Sequence, residues 1–166
     1  MGFRGVCFDK DNTLTEPYKD DVYEPYKKSI DLCLEVFGRD KVAIISNSAG
    51  SSDDTDFKKA QQIESSLGMH VIRHGTKKPD GIDQVSAHFN TTPDRLIMVG
   101  DRYLTDILFG NLYGMLTIFT KPITSNGDNP MVKLIRNKEH QFVQYSKQFY
   151  QPPLQPLFKP GIYFKK

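Results

Sequence analysis

The sequence predicts an α/β fold: a three-layer sandwich in which a central parallel sheet lies between two layers of helices. Three observations predict it. At 166 residues the chain is long enough for one domain with a buried core. Short apolar runs, none much longer than about five residues, alternate with longer segments of helical periodicity. Such runs are typical of strands buried on both faces, and their alternation with helices indicates parallel strands joined by crossovers.

Five strands are expected from the apolar runs. The first ends in a carboxylate, Asp9, and the second ends in a hydroxyl, Ser46. The third run is the least apolar of the set. The predicted strands are residues 5–9, 42–46, 70–73, 96–100 and 116–119.

Five helices are expected between and after these strands. Pro25 suits the start of the first helix, and glycines at positions 38, 68 and 114 suit the ends of the first, second and fourth. Asn129 and Pro130 are expected to open the last helix. The predicted helices are residues 25–37, 57–67, 82–89, 103–113 and 130–150.

The chain is expected to divide into a domain over residues 1–150 and a proline-rich tail over residues 151–166. Four prolines between Gln151 and Pro160 exclude a regular helix or a central strand there. The segments 13–24 and 47–77 are too short to hold a large cap domain over the site. The tail is therefore expected to be extended or irregular, and the site to be open.

Composition limits the classes of protein to consider. No apolar run approaches the roughly 20 residues that a spanning helix needs. Two cysteines, Cys7 and Cys33, are too few for a secreted disulfide framework, so a reducing compartment and inert, packed thiols are expected. The N-terminus lacks the pattern of a targeting leader, so any such segment is expected to have been removed or never present.

The net charge of +2 conceals an asymmetry. Residues 1–120 carry 14 Lys and Arg against 18 Asp and Glu, whereas residues 121–166 carry 8 against 2. An anionic partner is therefore expected near the C-terminus, and a membrane surface is one candidate. Basic and aromatic residues of this region would then dock on anionic lipid. The alternative is that the aromatic residues fold back onto the body and leave the lysines in solvent. We expect no nucleic-acid partner.

Polar side chains collect where the predicted strands end. In an open parallel sheet, ligands bind outside the carboxyl ends of the strands. Several carboxylates at one edge repel one another unless a cation joins them, and oxygen ligands without nearby His or Cys favour Mg²⁺. Magnesium usually shares its shell with phosphate oxygens, so the natural chemistry is phosphoryl transfer. The residues in question are Asp9, Asp11, Ser46, Asn47, Lys77, Lys78, Asp101 and Arg102.

Each of these residues can be given a role. Asp9 is expected to attack phosphorus as a nucleophile, and Asp11 to act as general acid and then as general base. Ser46 and Lys78, with Asn47 beside them, are expected to hold the phosphate oxygens. Asp9 and Asp101 are expected to hold the metal, with the Asp11 side chain slightly outside its shell and with Asp106 and Arg102 next to them. His74 is a weaker candidate for phosphate contact.

Four segments resemble the four motifs of the haloacid dehalogenase (HAD) superfamily of phosphatases. They are Asp-Lys-Asp-Asn-Thr-Leu-Thr from Asp9, Ile-Ile-Ser-Asn around Ser46, Lys78-Pro79, and Gly-Asp-Arg-Tyr-Leu-Thr-Asp ending at Asp106. The resemblance implies a HAD-like Rossmannoid sheet, with Mg²⁺ held by the carboxylates of Asp9 and Asp101 and by the main-chain carbonyl of Asp11. The position beside proline favours Lys78 over Lys77 as the functional lysine.

Within that superfamily the sequence is similar to the mitochondrial phosphatidylglycerophosphatases of fungi and plants. The similar segments run from Phe8 to Tyr18, from Ser46 to Ser51 and from Gly100 to Asp106. The resemblance implies dephosphorylation of phosphatidylglycerophosphate (PGP) to phosphatidylglycerol, a step towards cardiolipin. It also implies a peripheral position on the matrix side of the mitochondrial inner membrane.

Other interpretations remain open from the sequence. Asp9 and Asp11 could form a solvated turn, Ser46 could cap a chain end, and Asp106 could merely cap the helix that follows it. The same chemistry could act on a soluble sugar or nucleotide phosphate. A receiver-type signalling domain also uses an acidic Mg²⁺ site and a lysine. Its acceptor follows the third strand, however, and here the third strand is followed by no carboxylate.

Overall fold

The computed structural model describes residues 2–124, 138–139, 141–143, 145 and 155–158. Five parallel strands form one sheet in the order β3-β2-β1-β4-β5. The central strand, β1, pairs with β2 on one side and with β4 on the other, so that Cys7 lies opposite both Ala43 and Met98. The strands are β1 (Gly5–Phe8), β2 (Val42–Ile44), β3 (His70–Val71), β4 (Leu96–Gly100) and β5 (Leu116–Phe119).

All five predicted strands are present, but the first three end earlier than predicted. The backbone N–H of Asp9 still donates to the carbonyl of Val99 at 2.9 Å, and that of Ile45 donates to Phe8 at 2.9 Å. Beyond these bonds the chain leaves the sheet, which places Asp9 and Ser46 in loops at its carboxyl edge. At the second strand apolar character alone does not mark the turn, because Ile44 and Ile45 on either side of the strand end are both fully buried.

Four helices cover the two faces of the sheet in the fully described part of the chain. They are α1 (Lys27–Phe37), α2 (Lys58–Leu67), α3 (Ile82–Phe89) and α4 (Leu108–Leu112). The second helix ends at Gly68 in a left-handed conformation, as its sequence predicts, and α3 has the predicted bounds. Residues 138–139, 141–143 and 145 are also helical. The remainder of the predicted helix 130–150 lies outside the described residues.

Three helix starts differ from the prediction, that of α2 by a single residue. Pro25 lies in a separate 3₁₀ turn, Glu24–Tyr26, so the regular helix begins only at Lys27. The predicted helix 103–113 begins as a π-helix, Tyr103–Ile107, because the N–H groups of Asp106 and Ile107 both donate to the carbonyl of Arg102. Because this first turn is wider, the Asp106 side chain points back towards the sheet and into the site.

The sheet is buried on both faces, which confirms the three-layer prediction. Val6 and Phe8 of β1 pack in one apolar cluster with residues of α1 and α2. Cys7, between them, points to the opposite face and packs with residues of α3 and α4. Burial raises the pKa of the Cys7 thiol to about 12, so the thiol remains protonated near neutral pH.

The last described segment, residues 155–158, meets the body at the edge of the sheet where the strands begin. Gln155 donates to the carbonyls of Asp94 (2.6 Å) and Gly114 (3.1 Å), which precede β4 and β5. Residues 155–158 of the predicted tail therefore pack on the body, at the edge away from the strand ends that carry Asp9. The rest of the tail lies outside the described residues. Among the described residues, no helix combines the length and apolarity that crossing a bilayer requires.

Candidate active site

Three carboxylates converge at the carboxyl edge of the sheet. Asp9 follows β1, Asp101 follows β4, and Asp106 lies in the π-helical turn. Each offers one oxygen to a group in which all of these oxygens lie within 4.8 Å of one another. Asp101 and Asp106 are buried, and the Asp9 side chain is 15% exposed. The edge between β1 and β4 is where the strand order reverses, which is the usual ligand site of an open parallel sheet.

Lys78 lies between two of these carboxylates. Its Nζ donates to Asp9 Oδ1 at 2.8 Å and to Asp106 Oδ1 at 2.5 Å, and its side chain is 1% exposed. The neighbouring Lys77 points outward, is about half exposed and pairs with Asp53. The structure therefore places Lys78, and not Lys77, beside the carboxylates.

Burial and charge shift the pKa values of this group. Burial raises the pKa of Asp9 to about 7, against the opposing effect of Lys78, and the carboxylates of Asp106 and Asp101 add to the rise. Burial alone would lower the pKa of Lys78, but Asp106 and Asp9 raise it above its ordinary value. The lysine is therefore a fixed positive charge at neutral pH. A further cation beside the carboxylates would favour the ionised form of Asp9.

The turn after β4 is built around Asp106. The backbone N–H of Arg102 donates to Asp106 Oδ2 at 3.1 Å, and the Thr105 hydroxyl bonds to Oδ1 at 3.3 Å. A Cβ atom at Gly100 would collide with the Asp106 carboxyl group. Because position 100 is glycine, there is space for the Asp106 side chain to fold back towards the sheet. Asp106 is therefore part of the site, and the alternative that it only caps the following helix does not describe it fully.

Asp11 lines the same cavity as Asp9 but lies outside the carboxylate group. Its Oδ1 accepts hydrogen bonds from Lys10 Nζ at 3.0 Å and from the backbone N–H of Tyr18 at 3.2 Å. Its side chain is 35% exposed and therefore open to solvent at the cavity. The predicted metal contact of its main-chain carbonyl stays a prediction.

The loop after β2 supports Lys78. The Asn47 side chain accepts a hydrogen bond from the Lys78 N–H at 2.8 Å and donates to the Lys78 carbonyl at 3.5 Å. Ser46 is buried, and its hydroxyl bonds to the hydroxyl of Ser48 at 3.1 Å. Asn47 and Ser48 line the cavity, and Ser46 lies behind them. The phosphate contact predicted for Ser46 stays a prediction.

His74 is buried and connects two loops in this region. Its ring nitrogens lie against two backbone carbonyls, that of Ser46 at 2.9 Å and that of Thr76 at 2.5 Å. It therefore joins the loop after β2 to the loop that carries Lys78. Because both ring nitrogens are engaged by backbone, the direct phosphate contact considered for His74 is wrong.

Asp54 fixes the same loop to the start of α2. It is buried and accepts hydrogen bonds from the backbone N–H groups of Gly50 (2.9 Å), Lys59 (3.0 Å) and Ala60 (2.9 Å). Burial would raise the pKa of Asp54, but these three bonds hold it below its ordinary value. The position of Asn47 and Ser48 is thus tied to that of the first turn of α2.

The carboxylates and Lys78 lie in an open cavity of about 450 Å³. Among residues 2–124 no cap domain is inserted between the strands, as predicted from the segment lengths. The lining residues that the sequence had singled out are Asp9, Asp11, Asn47, Lys78, Asp101 and Arg102. Other lining residues were given no role by the sequence, among them Lys10, Tyr18, Ser48, Lys59 and Thr105.

Arg102 connects the rim of the cavity to the C-terminal helical residues. Its guanidinium donates to Glu139 Oε1 at 3.0 Å, and Glu139 is 2% exposed. Sequence reasoning could not have found this pair, because nothing local in the sequence marks a glutamate 37 positions away as its partner.

The donor set of the carboxylate group suits Mg²⁺. Its three side chains offer only oxygen atoms, which a hard divalent cation prefers. Three mutually close carboxylates with a single buried lysine leave an excess of negative charge, which such a cation would offset. Asp9 and Asp101 are therefore suited to hold the ion, with Asp106 within reach.

Comparison with known proteins gives the family. The chain is 46% identical over 140 residues to the chloroplastic/mitochondrial phosphatidylglycerophosphate phosphatase 1 of Arabidopsis thaliana, covering 83% of this chain and 40% of that protein. It is 32% identical over 135 residues to the mitochondrial phosphatidylglycerophosphatase GEP4 of Saccharomyces cerevisiae, covering 78% of this chain and 73% of the yeast protein. The chain thus spans less than half the length of the Arabidopsis relative.

A solved structure shares the fold. The crystal structure of an uncharacterized protein from Listeria monocytogenes serotype 4b aligns with a TM-score of 0.54 at 15% identity, covering 82% of this chain and 99% of that one. The profile of the family described as mitochondrial PGP phosphatase matches residues 1–124, which contain all four motifs and the complete sheet. This chain belongs to the mitochondrial PGP phosphatase family.

Proposed function

We propose that the chain is a Mg²⁺-dependent phosphomonoesterase that converts PGP to phosphatidylglycerol through an aspartyl-phosphate on Asp9. The observation that carries the proposal is the position of Asp9. Its carboxylate lies at the cavity, bonded to a buried lysine and within reach of two further carboxylates suited to a divalent cation. Family membership supports the same substrate.

In the first half-reaction, a carboxylate oxygen of Asp9 attacks the phosphorus of the terminal phosphate. A new O–P bond forms, and the bond from phosphorus to the glycerol oxygen breaks. Asp11, open to the cavity, gives its proton to the departing oxygen. Phosphatidylglycerol leaves with that proton, and the phosphoryl group stays on Asp9.

In the second half-reaction, water attacks the phosphorus of the aspartyl-phosphate. Asp11, now ionised, takes the proton of the water, and the bond between phosphorus and Asp9 breaks. Inorganic phosphate leaves, and both carboxyl groups return to their starting protonation states. One group thus serves both steps, as acid and then as base.

The surrounding residues hold the charge of the phosphoryl group. The ammonium of Lys78 is fixed beside Asp9 by Asp106 and by the grip of Asn47 on its backbone, so it need not move during the reaction. When bound at Asp9 and Asp101, Mg²⁺ would supply the positive charge that offsets the repulsion between the Asp9 carboxylate and the dianionic phosphate. Ser48 lines the cavity, and its hydroxyl is hydrogen-bonded to that of Ser46.

The C-terminal helical residues support a peripheral position on an anionic membrane. Lys138, Phe142 and Tyr145 are exposed and are spaced four and three apart, which puts them on one face of a helix. Glu139 ties this helix to Arg102 at the cavity rim. A cation and two aromatics beside an open cavity fit an interfacial anchor that presents a lipid headgroup to the site.

By family, the compartment proposed is the mitochondrion, on the matrix side of its inner membrane.

The catalytic proposal is tested by substrate comparison. With Mg²⁺, turnover of PGP in mixed micelles should exceed that of soluble sugar and nucleotide phosphates, and chelation should abolish it. Faster turnover of a soluble phosphate than of PGP would contradict the proposed lipid substrate and favour a soluble sugar or nucleotide phosphate as the substrate.

Membrane docking has its own test. Replacing Phe142 and Tyr145 together by serine should weaken flotation with vesicles that contain anionic lipid. Replacing Leu32 and Val36, which are exposed on α1, gives a matched control that should float like the parent. Equal flotation of both double variants would contradict docking through this face.

A further inference from the structure

The cations at the cavity differ in whether they are already paired. Four cationic side chains line it: Lys10, Lys59, Lys78 and Arg102. Three of the four form ion pairs with carboxylates of described residues at 3.0 Å or less. Lys59 forms no such pair with any residue in the part of the chain that the structure describes. Among the four, the Lys59 ammonium is thus the one without a carboxylate at contact distance on any described residue.

The backbone of Lys59 is held in place in one wall of the cavity. It lies in the first turn of α2, and residues Gln62 and Ile63, three and four positions further on, line the cavity with it. Its backbone N–H donates to Asp54, which also holds the N–H of Gly50 in the loop after β2. The lysine is thereby anchored to the same loop that supports Lys78, while its exposed side chain remains free to reach a ligand.

The proposed substrate carries two phosphates. The terminal monoester must lie against Asp9 and Lys78 for the reaction. The second phosphate is a diester with one negative charge, joined to the first through a three-carbon glycerol unit, and it remains on the product. A site that holds the first group beside Asp9 therefore has to accommodate a second anion within the same cavity.

We infer that Lys59 binds this second phosphate and so distinguishes PGP from simple phosphate monoesters. The inference rests on the proposed function and names a specificity residue for it. Lys59 contributes one positive charge to match the single charge of the diester. Gln62, whose amide donates to Asp20 at 2.7 Å, braces this side of the cavity against the loop after β1.

The test compares two substrates in three variants. The substrates are dioctanoyl PGP, which is soluble and has both phosphates, and p-nitrophenyl phosphate, which has only the monoester. In Lys59→Gln, the ratio of kcat/KM for PGP to that for p-nitrophenyl phosphate should fall about tenfold, mainly through KM for PGP. Lys59→Glu should lower the ratio further, and Lys59→Arg should restore most of it.

Lys58→Gln is the matched control. It removes the same charge from the adjacent position, where the side chain is 77% exposed and does not line the cavity. Its substrate ratio should stay within about twofold of the parent value. If Lys59→Gln and Lys58→Gln have the same ratio, Lys59 has no special role and the inference is overturned. If the parent hydrolyses p-nitrophenyl phosphate but not PGP, the proposed function itself fails, and the inference fails with it.

Discussion

Two adjacent lysines at the third motif have opposite environments. The sequence alone could not separate them except by the proline that follows Lys78. Lys78 is buried between Asp9 and Asp106, whereas Lys77 is about half exposed and pairs with Asp53 at the surface. The difference arises from Asn47, which grips the backbone of Lys78 and so directs its side chain inward.

Lys78→Met should lower kcat/KM by at least about 10²-fold, because a preorganised positive charge at the reacting phosphoryl group is lost. The variant also leaves two buried carboxylates facing each other, so folding should be checked by thermal unfolding with saturating Mg²⁺. Lys77→Met is the control and should keep activity within about twofold. Comparable losses in both variants would show that Lys78 has no distinct role.

The pKa of Asp9 predicts how stability depends on pH. In the metal-free protein this pKa is about 7, above the ordinary value of 3.8. A carboxyl group with a raised pKa in the folded state stabilises the fold at low pH, and that contribution is lost as pH rises through about 7. Asp9→Asn removes the titrating carboxyl group, so the stability of this variant lacks the pH-dependent contribution of Asp9.

The free energy of unfolding of the metal-free parent, relative to Asp9→Asn, should therefore fall by about 2–3 kcal/mol between about pH 5 and about pH 8. Urea titrations of both proteins at several pH values measure the difference. Added Mg²⁺ should reduce the decline, because the cation favours the ionised carboxylate. A difference that is flat or rises with pH would contradict the environment described for Asp9.

Sequence reasoning found the residues whose position follows from strand ends. Asp9, Asp101 and Lys78 lie together, as expected from three motifs at one edge of a parallel sheet. It also put Asp106 next to the metal ligands, with a simple helix cap as the alternative, but it could not foresee the π-helical turn that brings this residue into the carboxylate group. Nor could it find Glu139, whose partner Arg102 is 37 positions away, or Lys59, whose place at the cavity no motif marks.

At the level of elements, the turn between β4 and the π-helix sets the position of Asp106. Gly100→Ala places a methyl group where the Asp106 carboxyl lies, so the turn must shift. We expect a loss of about 1–3 kcal/mol in the free energy of unfolding, together with a drop in kcat. Chemical denaturation and steady-state kinetics measure the two effects.

Gly75→Ala is the control for that substitution. A Cβ at position 75 meets nothing within 4 Å, so the variant should stay within about 0.5 kcal/mol of the parent. If Gly100→Ala is as stable and as active as Gly75→Ala, the close approach of Asp106 is not required.

The elements themselves were predictable to different degrees. All five strands follow from their apolar runs, and α3 has the predicted bounds. The ends of β1 and β2 were not predictable, since Asp9 and Ile45 continue the hydrogen bonding of their strands just before the chain turns away. The start of α2 was missed by one residue because Phe57 adopts a left-handed conformation, with φ at 54°.

At the level of the whole molecule, the contacts of Gln155 and the catalytic carboxylates lie at opposite edges of the sheet. Gln155 bonds to the segments before β4 and β5, whereas the carboxylates follow β1 and β4. Gln155→Ala should therefore lower the free energy of unfolding by about 1–2 kcal/mol and leave kcat unchanged. The exposed Gln141→Ala is the control and should change neither quantity. A drop in kcat without a loss of stability would show that residue 155 affects the site directly.

The central claim is that Asp9 is phosphorylated within a carboxylate group that holds Mg²⁺. A crystal structure of the protein soaked with Mg²⁺ and beryllofluoride, a mimic of a phosphoryl group, tests it most directly. The account predicts a Be–O bond to the carboxylate of Asp9, with Mg²⁺ bound by Asp9 and Asp101 and with Lys78 beside the fluorides. Beryllofluoride bonded to another side chain, or Mg²⁺ bound away from these carboxylates, would contradict it.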